Sequence, residues 1–441
     1  MREAGARTEP GQGVDAGPGS LDSALWLRVA AAGNRTAHWP WWLQISALYV
    51  AARLLSALIF MAAALQQGVN PWFPPKPDYW NFINIWDARW YGEALRNGYP
   101  SVLPLDDAGN VKENAWAFYP LFPVLGRILS GLTGAAPAAS LSLIAMLAGL
   151  GAALVVYRLF RFKATHRTAL WGSVFVATFP VAPILQVPYA ESLNLLLLAA
   201  ALLLVLQRRY LWAMPVVVLM DLSRPTGVPF AAMVGLLFLY RLYPSFERVL
   251  RTRIELRNRP EAAQSLRPEH TRAELWSLAG LTAVAGLGAL AWPAIAWAVT
   301  GDLQAYTRTE TVWRGHDLVP FKPWFDTGIQ LFGPVLGPLA PFVFVAAFAL
   351  LMISKPVVAL GAELRLWCVC YVGYLLVFLH PQTSTFRMLL PLFPLALSAA
   401  WLSRSRAYRG TVVIMFLLLQ MVWIVWLWAW AQLPGGGDYP P

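Results

Sequence analysis

The stretch AASLSLIAMLAGLGAALVVY, residues 138–157, contains no charged side chain and is long enough to cross a membrane as a helix. An α-helix of this length reaches about 30 Å, the thickness of the hydrocarbon core of a bilayer. Its apolar residues run continuously instead of alternating, which favours a helix over a strand of a membrane barrel. Segments of this kind recur along the chain and predict a helical membrane protein.

The composition of the whole chain agrees with a lipid environment. Of the 441 residues, 58% are hydrophobic and only 13% are charged, and the mean hydropathy is +0.52. A soluble domain carries about 25% charged residues, so this chain has too few to coat a water-exposed surface. The net charge of +11 indicates basic cytoplasmic loops instead of nucleic-acid binding. We therefore expect an all-α, polytopic membrane protein.

Basic loops set the predicted topology. The loops at 157–167, 207–210, 241–272 and 403–409 are rich in arginine, which places them in the cytoplasm. Eleven transmembrane helices satisfy this arrangement. The candidate spans are residues 42–65, 138–157, 170–186, 190–206, 210–222, 227–243, 275–299, 329–353, 359–379, 388–403 and 411–431.

Several regions are expected around this membrane domain, which covers 41–432. Residues 1–40 are expected to be a disordered cytoplasmic tail without a signal peptide. The first extracytoplasmic loop, 66–134, is long and ends in an amphipathic, interfacial segment at 119–134. The remaining parts are a basic cytoplasmic loop at 244–273, an extracytoplasmic loop at 300–328 that contains His316, and an extracytoplasmic tail at 433–441.

Two features that could suggest metal or redox chemistry have simpler interpretations. Cys368 and Cys370 lie in one apolar run, point to different faces of a helix and are expected to pack in the core. Asp106 and Asp107 lie in a polar loop and are expected to be solvated. No metal site and no cofactor are predicted.

The stretch FINIWDARWYGEALRNGYP, residues 82–100, places a carboxylate among aromatic side chains. On a helical wheel over 83–97, Asp87 falls on the apolar side with Tyr91, opposite Arg89. A charge in that position is costly unless it is paired or functional. A second interpretation makes Asp87 the N-cap of a helix over 88–97, closed by Asn97-Gly98.

Other polar residues lie at the predicted outer ends of the spans. Glu191 could be a first-turn acid that the helix dipole favours, and Arg224 and Arg387 could be arginines that snorkel to the interface. In combination, however, these residue types suit one chemistry. Arginine guanidinium groups bind phosphate, aromatic rings pack on sugars, and a carboxylate can take a proton from a hydroxyl. No nucleotide-binding motif is present. The pattern suits a substrate in which a sugar is linked to a lipid phosphate.

Four segments of the sequence resemble one family. WDARWYGEALRNGYP (86–100) with FYPLFPVLGRIL (118–129) is similar to the first luminal loop of the PIG-V family, the GPI mannosyltransferase II type and its bacterial relatives, within the GT-C class of glycosyltransferases. PYAESL (188–193), SRPTG (223–227) and STFRMLLPLFP (384–394) resemble shorter motifs of that family. In the last segment the order of the arginine and the aromatic residue departs from the usual Arg-Tyr.

The resemblance implies an inverting mannosyltransferase with a polyprenyl-phosphate-mannose donor and a (glyco)lipid or glycan acceptor. It implies an active site on the extracytoplasmic face of the plasma (inner) membrane, with Asp87 as the general base. It further implies that Arg224 and Arg387 stabilise the departing phosphate and that Glu191 and Tyr91 shape the sugar pocket. The candidate substrate-binding residues are Trp86, Arg89, Trp90, Tyr91, Tyr119, Glu191, Arg224, His380 and Arg387.

Two other functions remain open at this point. A flippase or transporter of lipid-linked sugars would use the same arginines and aromatic rings to admit its substrate, but should also carry ionisable groups near the middle of the membrane or inverted repeats. A non-catalytic subunit would keep the fold with a decayed site.

Overall fold

The computed structural model describes residues 38–258, 271–314 and 319–432, and for 244–258 and 314 only the course of the backbone. Most of the predicted tail at 1–40, part of the basic loop at 244–273, His316 and the predicted tail at 433–441 lie outside the described residues. The described residues form helices and no β-strand. This confirms the all-α fold class.

Seventeen α-helices follow one another along the described part of the chain. They are α1 (Trp41–Ala64), α2 (Tyr79–Ile83), α3 (Asp87–Asn97), α4 (Leu121–Thr133), α5 (Pro137–Lys163), α6 (His166–Thr178), α7 (Glu191–Leu206), α8 (Tyr210–Asp221), α9 (Gly227–Asn258), α10 (Arg272–Thr300), α11 (Ala305–Thr311), α12 (Lys322–Leu336), α13 (Ala340–Ile353), α14 (Lys355–Val358), α15 (Ala362–Phe378), α16 (Pro394–Leu402) and α17 (Arg406–Val422). Tighter helical turns lie between them, at Ala115–Ala117, Ala182–Gln186, Val312–Arg314, Gly337–Leu339 and Thr383–Leu392, and a π-helical turn at Trp423–Trp428 continues α17.

The eleven predicted spans are helical over most of their length. Within the described ranges, five helical stretches are long and apolar enough to cross a bilayer: α1, α5, α10, the pair α12–α13 and α17 with its π-helical turn. The turn at Thr383–Leu392 and α16 would make a sixth stretch if counted as one span broken by a 77° bend. The helices α7, α8 and the first part of α9 are apolar but shorter. The number of eleven spans stays a prediction.

Close helix packing holds the centre of the bundle together. Helix α5 lies along α7, α7 along α8, and α8 and α9 both along α10. In lipid the hydrophobic effect adds little between helices, and small residues at the contact let backbones approach. Helix α5 buries such a row at Ala145, Ala148, Gly149 and Ala152. A Cβ at Gly149 would overlap the hydroxyl of Tyr49.

Buried polar side chains support the break between α6 and α7. Arg53 of α1 donates to the carbonyls of Ala182 and Ala177, the latter at 2.8 Å. Gln420 of α17 donates to the carbonyls of Thr178 and Phe179. Irregular backbone at membrane depth is tolerated only where protein groups satisfy it. These bonds therefore fix the segment that leads to Glu191.

Ion pairs join the basic loops at one end of the bundle. Glu363 lies 2.8 Å from Arg241 and 3.8 Å from Lys163. Lys163 ends α5, whose first turn contains Ala138 at the rim of the larger cavity described below. A helix of 27 residues is about 40 Å long at 1.5 Å per residue. The basic loops and that cavity therefore lie at opposite ends of the bundle.

The first long loop corrects one detail of the sequence analysis. Residues 83–97 do not form one continuous helix, because α2 ends at Ile83 and α3 begins at Asp87. Asp78 caps α2 by accepting from the N–H of Asn81. In the predicted interfacial segment, α4 exposes the apolar side chains Val124, Ile128 and Leu132 along one face. That face agrees with a helix lying on the membrane, which stays a prediction.

Candidate active site

Four charged side chains from distant parts of the sequence meet at one end of the bundle. The Nη1 nitrogen of Arg387 lies 2.5 Å from Oδ2 of Asp87 and 3.0 Å from Oε1 of Glu191. The same oxygen of Glu191 lies 2.6 Å from Nη1 of Arg224. Two carboxylates and two guanidinium groups thus form one connected cluster whose formal charges cancel.

The cluster is buried, with one side open. The side chain of Glu191 is 4% exposed and that of Asp87 is 20% exposed. Burial makes such charges costly unless each is paired and hydrogen-bonded. Even so, Oε2 of Glu191 and Nε of Arg387 are buried without a hydrogen-bond partner among the described residues. Oδ1 of Asp87 also has no partner in the described part of the chain, but it is not buried.

A strained backbone and a buried phenol hold Asp87. Trp86, the preceding residue, has a φ of +56°, a conformation that costs a bulky residue about 1–3 kcal/mol and is found at functional sites. The Trp86 indole donates to the carbonyl of Trp428 at 2.8 Å, which keeps the residue in this position. The backbone N–H of Asp87 donates to the Tyr189 hydroxyl at 3.0 Å.

The N-cap interpretation of Asp87 is wrong. Asp87 is the first residue of α3, Trp86 precedes it as the N-cap, and no side chain caps the helix. The carboxylate of Asp87 instead binds Arg387. At the other end of α3, the guanidinium of Arg127 donates to the carbonyls of Leu95 and Ala94 at 2.7 and 3.1 Å. The helix is therefore anchored at both ends, which fixes the direction in which Asp87 points.

The start of α7 positions Glu191 and, through it, Arg224. Glu191 is in the first turn, as the helix-dipole interpretation expects, and it also binds both arginines. One turn later, Asn194 donates to the hydroxyls of Ser223 at 2.9 Å and Thr226 at 2.8 Å. These bonds fix the break between α8 and α9 that carries Arg224. Arg224 therefore points inward to Glu191 and does not snorkel.

A sharp bend between α15 and α16 carries Arg387. The helical turn at Thr383–Leu392 is held to α15 because Tyr371 donates to the carbonyl of Met388 at 2.7 Å and Trp367 donates to that of Pro391 at 2.8 Å. The guanidinium of Arg387 lies over the ring of Tyr189 at 5.4 Å. Arg387 is 8% exposed, so the snorkelling interpretation is wrong for it as well.

Two cavities meet at Asp87. A larger one of about 720 Å³ is lined by residues of the first loop, including Trp86, Arg89 and Trp90. A smaller one of about 170 Å³ is lined by Arg224, Arg387 and aromatic and aliphatic side chains. Asp87 and Trp313 line both cavities. The carboxylate therefore lies between a space that contains the two cluster arginines and a space that does not.

The two predicted tyrosines line the smaller cavity. Burial raises the pKa of the Tyr91 phenol above its usual range, so the group stays neutral and can donate a hydrogen bond. Burial likewise raises the pKa of Tyr119, whose hydroxyl bonds that of Tyr306 at 3.1 Å. Both phenols thus offer neutral polar groups beside the arginines.

Of the predicted site residues, Glu191 and His380 line neither of the two cavities. Glu191 belongs to the charged cluster, whereas His380 does not. His380 is half-buried in the link between α15 and the turn at Thr383–Leu392.

Several residues that build the site have no role that was predicted from the sequence. Tyr189 contacts both Asp87 and Arg387. Asn194 fixes the break between α8 and α9 that carries Arg224, and Trp313 lines both cavities. The spacing of Asn194, three residues after Glu191, could have indicated a shared helix face. No local signal identifies Trp313, because it approaches the site from a separate loop.

Comparison with known proteins gives structural neighbours only. No family profile and no curated protein matches the chain. One structure of the Archaeoglobus fulgidus oligosaccharyltransferase, in complex with Zn and sulfate, is 15% identical over 85% of this chain, with a TM-score of 0.42. Another, of the archaeal oligosaccharyltransferase AglB from Archaeoglobus fulgidus with an inhibitory peptide and a dolichol-phosphate, is 14% identical over 86% of this chain, with a TM-score of 0.43. The chain spans about half the length of these proteins, 53% and 55%.

Proposed function

We propose that the protein is an integral-membrane glycosyltransferase that transfers mannose from polyprenyl-phosphate-mannose to a hydroxyl of a (glyco)lipid or glycan acceptor. The observation that carries this proposal is the arrangement of Asp87. One carboxylate oxygen is held by Arg387, while the other has no partner in the described residues and is not buried. A fixed carboxylate with one open oxygen, next to two arginines, suits a base that works beside a departing phosphate.

The donor phosphate would bind in the smaller cavity. Both ion pairs of Arg387 use Nη1, and Nη2 has no partner in the described part of the chain and is not among its buried unpaired atoms. A guanidinium with a free nitrogen can still bind a phosphate oxygen. The apolar side chains of Leu375, Phe378 and Leu379 line the same cavity. They offer the first isoprene units a surface of matching polarity.

In the proposed reaction, Oδ1 of Asp87 accepts the proton of the acceptor hydroxyl. The hydroxyl oxygen forms a bond to C1 of mannose from the face opposite the phosphate. The bond between C1 and the phosphate oxygen breaks, and its electron pair leaves with polyprenyl phosphate. Arg387 and Arg224 stabilise the negative charge that grows on this leaving group. Mannose is transferred with inversion, and the proton passes from Asp87 to solvent.

Glu191 would act in this scheme as a positioning residue. Its Oε1 holds Nη1 of both arginines within 3.0 Å, which overcomes the repulsion between the two cations. The residue thereby fixes where a phosphate can be bound. Tyr91, with its neutral hydroxyl in the smaller cavity, could donate to the phosphate or to the sugar.

The proposed orientation places this site outside the cytoplasm. The basic loops join at the opposite end of the bundle, and such loops favour the cytoplasmic side. The proposed location is the plasma membrane, with the residues before α1 in the cytoplasm. Cysteine labelling of a Trp80→Cys variant in intact cells would test this, because Trp80 is 64% exposed and directly precedes Asn81, which lines the larger cavity.

The experiment that tests the function is transfer by purified protein in liposomes. Polyprenyl-phosphate-mannose with labelled mannose is supplied together with a membrane extract as acceptor. We expect the label to move to a new product and unlabelled polyprenyl phosphate to appear in equal amount. If the donor crosses the bilayer with its sugar still attached, the protein is a flippase. If the donor neither reacts nor crosses, both functions are wrong.

A further inference from the structure

The larger cavity has an unusual lining for a protein of this hydropathy. Its described walls consist of charged and amide side chains, aromatic rings, and Gly and Ala, and no Leu, Ile, Val or Met contributes to them. The smaller cavity, in contrast, includes Leu375, Leu379 and Met388. An acyl or isoprenoid chain is stabilised by aliphatic contact, so the larger cavity does not suit a lipid tail. Flat rings together with polar groups suit a ligand that has apolar faces and many hydroxyls, which describes a carbohydrate.

Trp72 provides a fixed aromatic surface on this wall. Its ring meets those of Trp86 and Trp430 edge to face, with centroids 5.0 and 6.4 Å apart. The side chain of Asn70 accepts from the backbone N–H of Trp72 at 3.0 Å and of Phe73 at 3.1 Å, which holds the loop. An aromatic ring held on several sides can bind a ligand face at little entropic cost.

Polar groups with unused hydrogen-bonding capacity line the same cavity as Trp72. The guanidinium of Arg89 lies 5.9 Å from the ring centroid of Trp72 and has no carboxylate partner among the described residues. The amide of Asn84 has no hydrogen bond within the same described ranges. Both side chains line the larger cavity. Together they offer donors and one acceptor in the cavity that also contains this aromatic face, which is the combination that fixes a sugar ring in one orientation.

The position of the cavity relative to Asp87 is also informative. The two cluster arginines line the smaller cavity and are absent from the described lining of the larger one. In an inverting transfer, the acceptor approaches from the face opposite the phosphate. The acceptor hydroxyl should therefore reach Asp87 from the larger cavity.

We propose that the larger cavity binds the sugar chain of a glycan acceptor and that Trp72, Asn84 and Arg89 are its binding residues. This inference rests on the proposed function and adds the class of the acceptor. The acceptor is recognised through a carbohydrate chain bound in water-accessible space, and not through the acyl chains of a lipid. A volume of about 720 Å³ is within the range of small-molecule sites and leaves space for more than one sugar unit.

The test measures binding without any donor. Purified protein in detergent is titrated with two soluble trisaccharides, one of mannose and one of glucose, and binding is followed by saturation-transfer NMR. We expect at least one to bind saturably at millimolar concentration or below. Trp72→Ala and Asn84→Ala should each weaken that binding about tenfold. Trp80→Ala is the matched control, because Trp80 is exposed in the same loop and lines neither cavity.

Three results would overturn the proposal. The first is that neither trisaccharide binds. The second is that Trp80→Ala weakens binding as much as Trp72→Ala does. The third is that a short-chain phosphatidylinositol binds in their place and loses affinity in the Trp72 variant. Polyprenyl phosphate binding is measured in the same samples. If polyprenyl phosphate binds and neither trisaccharide does, only the acceptor proposal fails. If a trisaccharide binds and polyprenyl phosphate does not, the donor part of the proposed function fails.

The second readout compares the effect of Trp72→Ala on the acceptor KM with its effect on the donor KM. With labelled polyprenyl-phosphate-mannose as donor and the bound trisaccharide as acceptor, Trp72→Ala should raise the acceptor KM about tenfold and change the donor KM by less than about twofold. A rise in the donor KM alone would assign Trp72 to the donor site and contradict the proposal.

Discussion

Nη1 of Arg387 lies 2.5 Å from Oδ2 of Asp87, a residue 300 positions earlier in the chain. The same nitrogen binds Glu191, so a single guanidinium joins the first loop, the start of α7 and the bend before α16. A contact between such distant segments requires the whole bundle to be formed. The site is therefore a direct product of the fold.

Arg387→Lys should impair both donor binding and the chemical step. A lysine has one ammonium group in place of the planar fork and cannot bind both carboxylates and a phosphate at these positions. We expect kcat to fall about 10- to 100-fold and the donor KM to rise. Steady-state transfer assays with varied donor concentration measure both. Arg308→Lys is the control, because Arg308 pairs with Asp302 and lines neither cavity; equal effects of the two variants would contradict the assignment.

Glu191→Gln should destabilise the protein and make its thermal stability depend more strongly on a bound anion. The variant leaves two buried guanidinium groups with one carboxylate, and breaking a buried pair costs about 3–5 kcal/mol. Thermal unfolding in detergent should show a lower Tm. Adding polyprenyl phosphate should raise the Tm more in the variant than in the wild type, because the phosphate supplies the missing negative charge.

The control for that experiment is Glu363→Gln. Glu363 pairs with Arg241 at the opposite end of the bundle, so this variant should also unfold at a lower temperature. Polyprenyl phosphate should not raise the Tm of this variant more than that of the wild type. If both variants respond to polyprenyl phosphate alike, the anion does not bind at the cluster that contains Glu191.

Tyr189→Phe should slow the reaction with little effect on donor affinity. The phenol accepts from the backbone N–H of Asp87, and its loss leaves that group without a partner and the base less firmly placed. We expect kcat to fall about tenfold, with the donor KM changed by less than about threefold. In Tyr157→Phe, which removes a hydroxyl bonded to His166 instead, kcat should be unchanged. A larger effect on KM than on kcat would make Tyr189 a donor-binding residue.

Gly149→Ala tests the packing of the bundle. The added methyl group would overlap the Tyr49 hydroxyl, and overpacking of this kind costs about 1–3 kcal/mol. We expect a lower Tm in detergent. Gly286→Ala in α10 is the matched control: nothing lies within 4 Å of its added Cβ, so stability should stay equal or rise. Equal losses in both variants would contradict the close approach of α1 and α5.

The helical segments and the four charged residues of the cluster could be identified from the sequence, and the residues that support the cluster could not. Asp87, Glu191, Arg224 and Arg387 each stand out locally as charges beside apolar or aromatic residues. The structure brings all four together. Their hydrogen-bonding partners do not stand out, because Tyr189 and Asn194 are polar residues of ordinary types whose role depends on segments far away in sequence.

Backbone geometry was the other part that the sequence could not supply. The helical wheel over 83–97 assumed one continuous helix, whereas the backbone leaves the helical conformation at Asn84 and Trp86, just before α3, has a positive φ. Glycine and asparagine signal such a conformation, and tryptophan does not. Arg53, a charged residue within a predicted span, donates to the carbonyls of Ala177 and Ala182, and no local pattern identifies these partners.

The single-turnover rate of Asp87→Asn is the sharpest test of Asp87 as the general base. Asparagine keeps the shape of the side chain but cannot take up the proton. At saturating polyprenyl-phosphate-mannose we predict a rate about 10²- to 10⁴-fold below the wild type, with polyprenyl phosphate bound at least as tightly. Transfer by Asp87→Asn at the wild-type rate would show that Asp87 is not the base.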